Sequence, residues 1–182
     1  MGLDKLLELI FTYIGKWWPI EIIEAWSEAI LLRGGKFKRV LKPGWYFLPL
    51  KMLLLDRVYE VVVVTTTLDI PSQTLVTKDD VPISISHVVK YNILDTEKYY
   101  LKISDQTDAI KDTAQGIIKT VIVDREYKEL KEKLDSIDKE ITKLLKNEVK
   151  RYGIDIEKAT ISSFCKTPAF KLFNDSNAVP ST

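Results

Sequence analysis

The 182-residue sequence contains only one cysteine, Cys165, and only one histidine, His87. A lone cysteine excludes an internal disulfide, and a lone histidine gives no cluster of the kind that holds zinc. The chain also has no large excess of either charge, because 27 basic residues are balanced by 26 acidic residues. Such a chain has no excess positive charge with which to recruit nucleic acid. We therefore expect no metal centre, no cofactor and no nucleic-acid partner.

A long uninterrupted apolar run is absent as well. The most apolar segment, residues 3–18, is interrupted by Asp4, Lys5, Glu8 and Lys16. As a helix it would be about 24 Å long and would fall short of the ~20 apolar residues needed to span a bilayer. Its broad apolar face and terminal tryptophan pair predict a helix lying in a membrane interface, although packing on the protein's own sheet stays an alternative. The predicted membrane-anchor residues are Leu6, Leu7, Ile10, Phe11, Ile14, Trp17 and Trp18.

The next part of the chain has the patterns of β-strands. Residues 20–32 predict one strand that ends at a glycine pair, and residues 36–41 predict a second that ends at Pro43 and Gly44. The β-branched run of residues 57–70 predicts a third strand. Residues 81–93 alternate between apolar and polar side chains, which is typical of a half-buried antiparallel strand.

Beyond residue 94 the apolar spacing becomes helical. Asp95 or Thr96 is predicted to cap a short turn, and a helix is predicted to open at Ser104 and Asp105 and to run to about residue 123. Asp124 is predicted to cap a second, charged helix that ends near residue 151. A last strand over residues 154–164 completes an α+β pattern. The apolar stripe of the charged helix is expected to be Tyr127, Leu130, Leu134, Ile137, Ile141 and Leu144.

Several of these segments carry motifs of one family. Residues 29–50 contain a strand-turn-strand followed by a proline-glycine-aromatic signature, and residues 68–99 contain a Thr-Lys-Asp turn and an alternating strand. Short Ala-Gln and Tyr-Gly-Ile elements follow. The landmark residues are Pro43, Gly44, Tyr46, Phe47, Pro49, Pro71, Thr77, Lys78, Asp79, Tyr91, Ile93, Asp95, Ala114, Gln115, Tyr152, Gly153 and Ile154. In this order they resemble the SPFH (band 7) domains of stomatin, prohibitin and flotillin-like proteins.

The resemblance implies an α+β fold with a bent antiparallel sheet, two or three helices and an N-terminal membrane-interface helix. The implied organisation is an amphipathic anchor over residues 1–19, an SPFH domain over residues 20–167 and a flexible tail over residues 168–182. Two departures are visible. Asp80 stands where the family turn has glycine or asparagine, and the sequence lacks the long coiled coil that most members carry.

The function that the resemblance implies is that of a membrane-associated oligomeric scaffold, not an enzyme. Such a protein organises a membrane microdomain or tethers membrane proteins, and its expected partners are lipid, further copies in a ring or array, and a membrane protease or channel. Its expected location is monotopic, with most of the domain on one side of the bilayer. The alternative is a soluble adaptor whose N-terminal helix docks on a partner protein.

Individual candidate residues have competing interpretations. His87 is expected to be a buried neutral residue with one ring nitrogen hydrogen-bonded, and pH sensing is the alternative. Cys165 is expected to be a structural thiol, with S-acylation as the alternative. Asp79 and Asp80 are interpreted as a turn rather than a metal site. The charged helix is either a solvated face or an oligomer contact, and the residues predicted for that contact are Lys131, Lys133 and Lys139.

Overall fold

The structure is a computed structural model that describes Lys5, Glu8, residues 19–51 and residues 53–167. The predicted tail and all seven predicted anchor residues lie outside the described residues. The described chain forms two parts, which we call the small lobe (residues 19–63) and the large lobe (residues 66–167).

The small lobe consists of five short strands and one 3-10 helix, Pro49–Lys51. Its strands are β1 Ile20–Ile23, β2 Ser27–Arg33, β3 Lys36–Leu41, β4 Gly44–Phe47 and β5 Asp56–Val62. Strands β1 and β4 pair as a separate antiparallel ribbon, while β3, β2 and β5 form a three-stranded sheet in that order. The buried cluster between them is small and comprises Ile23, Ala29, Leu31, Leu41 and Leu48.

The large lobe combines a long antiparallel sheet with four α-helices. Its strands are β6 Thr66–Val76, β7 Pro82–Ile93 and β8 Ile154–Lys166, with β7 in the centre. Its helices are α1 Thr96–Lys102, α2 Gln106–Val123, α3 Tyr127–Glu132 and α4 Leu134–Val149. Odd-numbered residues of β7 from Ile83 to Ile93 are buried, so the predicted alternation is confirmed. Side chains such as Ile118 of α2 and Ile141 of α4 complete a core that is inaccessible to solvent.

The sharp turn before β8 depends on Gly153. This residue has a φ of +78°, and a Cβ built on it would lie 2.5 Å from the carbonyl oxygen of Asp95. The Gly153 carbonyl in turn accepts hydrogen bonds from the backbone N–H groups of Leu94 and Asp95. Any side chain here would separate the end of β7 from the start of β8.

Two side-chain hydrogen bonds join the lobes through α1. The Thr96 hydroxyl donates to the Glu28 carboxylate at 2.6 Å, and the Tyr100 hydroxyl donates to the Glu60 carbonyl oxygen. Glu28 lies on β2 and Glu60 on β5, so α1 of the large lobe is hydrogen-bonded to two strands of the small lobe.

The structure corrects the predicted strands. Residues 20–32 are two strands rather than one, because a turn closed by the Ser27 N–H and the Glu24 carbonyl separates β1 from β2. Residues 57–70 are also two strands, since the chain leaves one sheet at Val62 and enters the other at Thr66. In place of one bent sheet, the described residues therefore form three.

The predicted helices need correction too. Residues 66–167 form four α-helices instead of the expected two or three, because the charged helix breaks at Lys133. Asp124 is the C-cap of α2 and not an N-cap. The N–H of Tyr127, at the start of α3, instead donates to the carboxylate of Asp79 from the β6–β7 turn. Leu144, which was predicted for the buried apolar stripe, is 40% exposed, whereas its neighbour Leu145 is buried.

Candidate functional site

The β1–β4 ribbon has an apolar face that points away from the core. Register pairs place Ile20 opposite Phe47 and Ile22 opposite Trp45, and all four side chains are exposed. The other face of the ribbon carries Ile23, which is buried in the small-lobe core. We call the four exposed side chains the ribbon face. The alternation of Ile20 with Ile22 and of Trp45 with Phe47 indicates one shared face, but a sequence pattern alone does not tell whether that face is buried.

The predicted oligomer-contact lysines lie on the outer side of α3 and α4. Lys131, Lys133 and Lys139 are all exposed, so they are available to a neighbouring molecule. Lys133 already has one partner in the chain, because its Nζ lies 3.6 Å from a carboxylate oxygen of Glu129. Whether these lysines contact a second copy stays a prediction.

A groove of about 570 Å³ runs between α4 and β8 beside Lys139. Charges of both signs line it, so it does not select a purely anionic or purely cationic ligand. Its lining consists of Asp135, Asp138, Lys139, Thr142, Lys143, Lys146, Glu157 and Lys158.

Helix α4 closes the edge of the sheet along this groove. The Thr142 hydroxyl accepts a hydrogen bond from the Ala159 N–H at 3.0 Å, and the Asp138 carboxylate accepts one from the Ile161 N–H at 3.1 Å. Burial raises the pKa of Asp138, while its hydrogen bond from Ile161 acts in the opposite direction. Because these edge groups already have partners, strand addition is disfavoured here, and a contact must use side chains.

His87 sits in the core on the buried face of β7, and only 1% of its surface is exposed. Neither ring nitrogen has a hydrogen-bond partner among the described residues, so the prediction of one hydrogen-bonded nitrogen was wrong. Burial lowers the pKa of His87 to about 4. The amide nitrogen of Gln73 is also buried without a partner. The ring is therefore neutral at pH 7 and enclosed by protein, so it cannot reach a substrate as a general base.

Asp79 and Asp80 form the tight turn that the sequence predicted. Asp80 has a φ of +56°, and the Thr77 hydroxyl donates to the Asp79 carboxylate at 2.6 Å. This hydrogen bond, with that from the Tyr127 N–H, lowers the pKa of Asp79. The aspartate therefore has a structural role, since it closes the turn and caps α3.

The remaining candidate sites are the single cysteine, a possible metal cluster and a membrane span. Cys165 is exposed near the end of β8, and its S-acylation stays a prediction. Within the described parts of the chain, no three His, Cys, Asp or Glu side chains are grouped to hold a metal ion. Over the same residues, no helix has both the length and the apolar character needed to cross a membrane.

The described residues form a mixed α+β domain of three antiparallel sheets and four α-helices. The model of the family described as "SPFH domain / Band 7 family" matches residues 21–170. The chain belongs to this family.

Relatives in other organisms agree with this assignment. An "Uncharacterized protein" of Methanocaldococcus jannaschii is 30% identical over 142 residues, which cover 78% of this chain and 70% of the relative. A "Stomatin homolog" of Pyrococcus horikoshii is 24% identical over 81% of this chain and 54% of its own length. Mouse "Stomatin" is 24% identical over 84% of this chain and 54% of its own length. The chain thus spans about half the length of these two named relatives.

Proposed function

We propose that this chain is a membrane-associated scaffold whose SPFH domains assemble side by side on a bilayer. Assembly would organise a membrane patch or tether membrane proteins such as a protease or a channel. The proposal is supported by the family assignment and by relatives whose printed names are stomatin and stomatin homolog. No chemical step is included in it.

The observation that carries the assembly part of the proposal is the outer side of α3 and α4. The sheet edge beneath α4 is closed by side chains, so neighbours meet through exposed charges of both signs rather than through backbone hydrogen bonds. Exposed ion pairs contribute only ~0–1 kcal/mol each. On a membrane, however, the high local concentration of anchored copies makes a ring or array of weak contacts stable.

The enclosed histidine supports a role without catalysis. His87 is the only histidine, and its ring lies within the core. A Ser-His-Asp type of hydrolase needs an imidazole within hydrogen-bond reach of its nucleophile. Neither ring nitrogen of His87 makes a hydrogen bond to any group.

Charge reversal tests the proposed assembly. The variant Lys131→Glu/Lys133→Glu/Lys139→Glu should stay folded by circular dichroism but crosslink several-fold less than wild type on vesicles at low salt, because like charges then meet at the contact. The matched control is Lys90→Glu/Lys102→Glu/Lys119→Glu, which changes the net charge equally at exposed sites on other elements. If both triple variants crosslink as wild type does, the outer side of α3 and α4 is only a solvated surface.

Vesicle co-sedimentation separates the scaffold from the soluble adaptor. The full chain should sediment with vesicles, and Trp17→Ser/Trp18→Ser should sediment less while keeping its melting transition. An adaptor would not sediment with pure lipid. A tryptophan-pair variant that stays bound but loses its melting transition would place the N-terminal segment in the protein core.

A further inference from the structure

The groove between α4 and β8 is long enough to hold several residues of an extended peptide. At one end the carboxylate of Asp138 accepts the hydrogen bond from the Ile161 N–H, and at the other end the Nζ of Lys146 lies 2.9 Å from a carboxylate oxygen of Asp155. These contacts show that β8 runs antiparallel to α4. The helix rises about 12 Å from residue 138 to residue 146. The volume of about 570 Å³ is in the range of ligand sites in proteins.

The two ends of this groove carry opposite charges. Asp135 and Asp138 line the end where α4 begins, whereas Lys143 and Lys158 outnumber Glu157 towards the other end. In the described part of the chain, Asp135, Lys143 and Lys158 form no ion pair. A ligand that pairs with these free charges needs a cation at the Asp135 end and an anion near Lys143 and Lys158.

The chain itself continues past β8 with charges in this order. Lys171 and Asp175 are the only charged residues of the segment 168–182. In an extended peptide every second side chain shares a face, so Lys171, Phe173 and Asp175 would point the same way. The distance from residue 171 to residue 175 is then about 13 Å. It matches the rise of about 12 Å on α4 from Asp135 to Lys143.

The segment also starts close enough to the groove to enter it. Strand β8 ends at Lys166, about 17 Å along the strand from Ile161, which contacts Asp138. Asp135 lies about one helical turn nearer to that end, because the two elements are antiparallel, so roughly 12 Å remain. Residues 167–171 span up to about 17 Å when extended. A chain that turns back after β8 therefore reaches Asp135.

The middle of the groove suits the aromatic ring of Phe173. Lys139 and Lys143 line it one turn apart on α4, and both are exposed. Lysine side chains cover apolar groups with their methylene stems while their ammonium groups stay in water. A ring between the two charged ends of the peptide would thus meet methylene groups and not a bare charge.

We propose that residues 170–176 fold back and dock in the α4–β8 groove of their own chain. Lys171 pairs with Asp135, Phe173 lies on the lysine stems, and Asp175 lies between Lys143 and Lys158. Exposed ion pairs are individually weak, but a short tether gives the segment an effective concentration in the millimolar range. The docked segment covers Lys139 and competes with a neighbouring copy for it. Only this competition rests on the proposed assembly, and the docking does not.

A disulfide trap in the full chain tests the docking. In a Cys165→Ser background, Ser176→Cys/Glu157→Cys keeps the three proposed contacts and places two thiols at the same level of the groove. Oxidised glutathione should close an intrachain disulfide at least tenfold faster in this chain than in Ser176→Cys/Lys36→Cys, whose second thiol lies on β3 of the small lobe. Equal rates for the two pairs, or disulfides only between chains, would overturn the inference.

Charge exchange in the trapped chain tests the orientation of the segment. Lys171→Glu should slow disulfide formation several-fold, because two carboxylates then meet at Asp135. Adding Asp135→Lys should restore the rate. The matched control is Asp112→Lys, the same change at an exposed site on α2, and it should restore nothing. If Lys171→Glu closes the disulfide as fast as its parent, the charges do not guide docking and the inference is wrong.

Lysine acetylation keeps the inference testable if the cysteine variants misfold. Lys171→Glu/Asp175→Lys, with no cysteine introduced, should let acetic anhydride modify Lys143 and Lys158 several-fold faster than in wild type, because an uncovered and unpaired amine is more accessible. Lys119 on α2 is exposed and should react equally in both chains. Mass spectrometry reads each site. Unchanged rates at Lys143 and Lys158 would mean that the segment stays clear of the groove.

Crosslinking on vesicles separates the docking from the proposed function. If the segment docks, Lys171→Glu/Asp175→Lys should increase crosslinking between copies, since Lys139 is then free. Docking with unchanged crosslinking would overturn the competition and leave the assembly standing. Docking in a chain that never crosslinks would overturn the assembly and leave the docked segment in place.

Discussion

The two lobes use their apolar residues in opposite ways. Among the described residues, the large lobe buries a continuous cluster of 21 side chains, whereas the small-lobe cluster contains five. Exposed large apolar residues of the large lobe are scattered over β6, α1, α2 and α4, whereas most of those in the small lobe lie on the ribbon face and in the turn of Leu53, Leu54 and Leu55. The large lobe therefore has the core that stabilises the domain, and the small lobe has surface that its own fold leaves without a partner.

The largest effect should come from a charge in the large-lobe core. Ile141 is completely buried, so Ile141→Asp places a carboxylate in apolar surroundings and should cost several kcal/mol, enough to unfold a domain of ordinary stability. Thermal melting followed by circular dichroism measures this. The control, Leu144→Asp, alters a partly exposed residue on the same helix and should cost clearly less, about 1 kcal/mol. Equal losses would mean that α4 is packed on both sides.

A cavity in the small lobe should have a smaller and more local effect. Leu31 is 1% exposed in the five-residue cluster, and Leu31→Ala should cost about 3 kcal/mol. We expect faster amide hydrogen exchange across β2, β3 and β5, while exchange in β7 stays slow, because the larger core does not depend on this cluster. Acceleration in both lobes together would mean that the hydrogen bonds through α1 make the domain one cooperative unit.

The buried histidine should make the large lobe sensitive to acid. Desolvation lowers the pKa of His87 to about 4 from its ordinary 6.5, so the unfolded chain takes up a proton first as the pH falls. The contribution of neutral His87 to the free energy of unfolding is fully present above pH 6.5. It is lost as the pH falls towards 4, and the loss reaches about 3 kcal/mol. His87→Leu should remove this part of the pH dependence and leave two fewer unpaired polar atoms. Parallel stability curves for wild type and variant, measured by urea unfolding, would contradict the assigned pKa.

The sequence predicted the large lobe better than the small one. The alternation of β7, a cap at Asp95 or Thr96, a helix start at Ser104 and Asp105 and the turn at Asp79 and Asp80 were all visible, because each depends on neighbours within a few residues. The cap of α3 was missed because its acceptor, Asp79, is 48 positions away. No local pattern reveals such a partner.

The strand breaks and the ribbon face were missed for a related reason. Apolar residues continue through the turn at Glu24 to Trp26, so the run looked like one strand. Alternation showed that Trp45 and Phe47 share a face, but not whether this face points inwards. That direction is set by the pairing of β1 with β4 and by the core beneath them. The lysine contact and the N-terminal anchor stay predictions.

The smallest expected effect is a gain in stability at the turn of Leu53, Leu54 and Leu55, between the 3-10 helix and β5. Leu54 is exposed and has left-handed backbone geometry, which asparagine adopts more readily than leucine. Leu54→Asn should therefore raise the free energy of unfolding by about 0.5–1 kcal/mol, measured by urea unfolding, because it relieves strain and removes no buried contact. The control, Leu53→Asn, loses a similar apolar side chain without relief of a left-handed backbone, so it should leave stability unchanged. A Leu54→Asn chain that is no more stable than wild type would show that this backbone holds no strain, and the contrast between the lobes would then be one of core size alone.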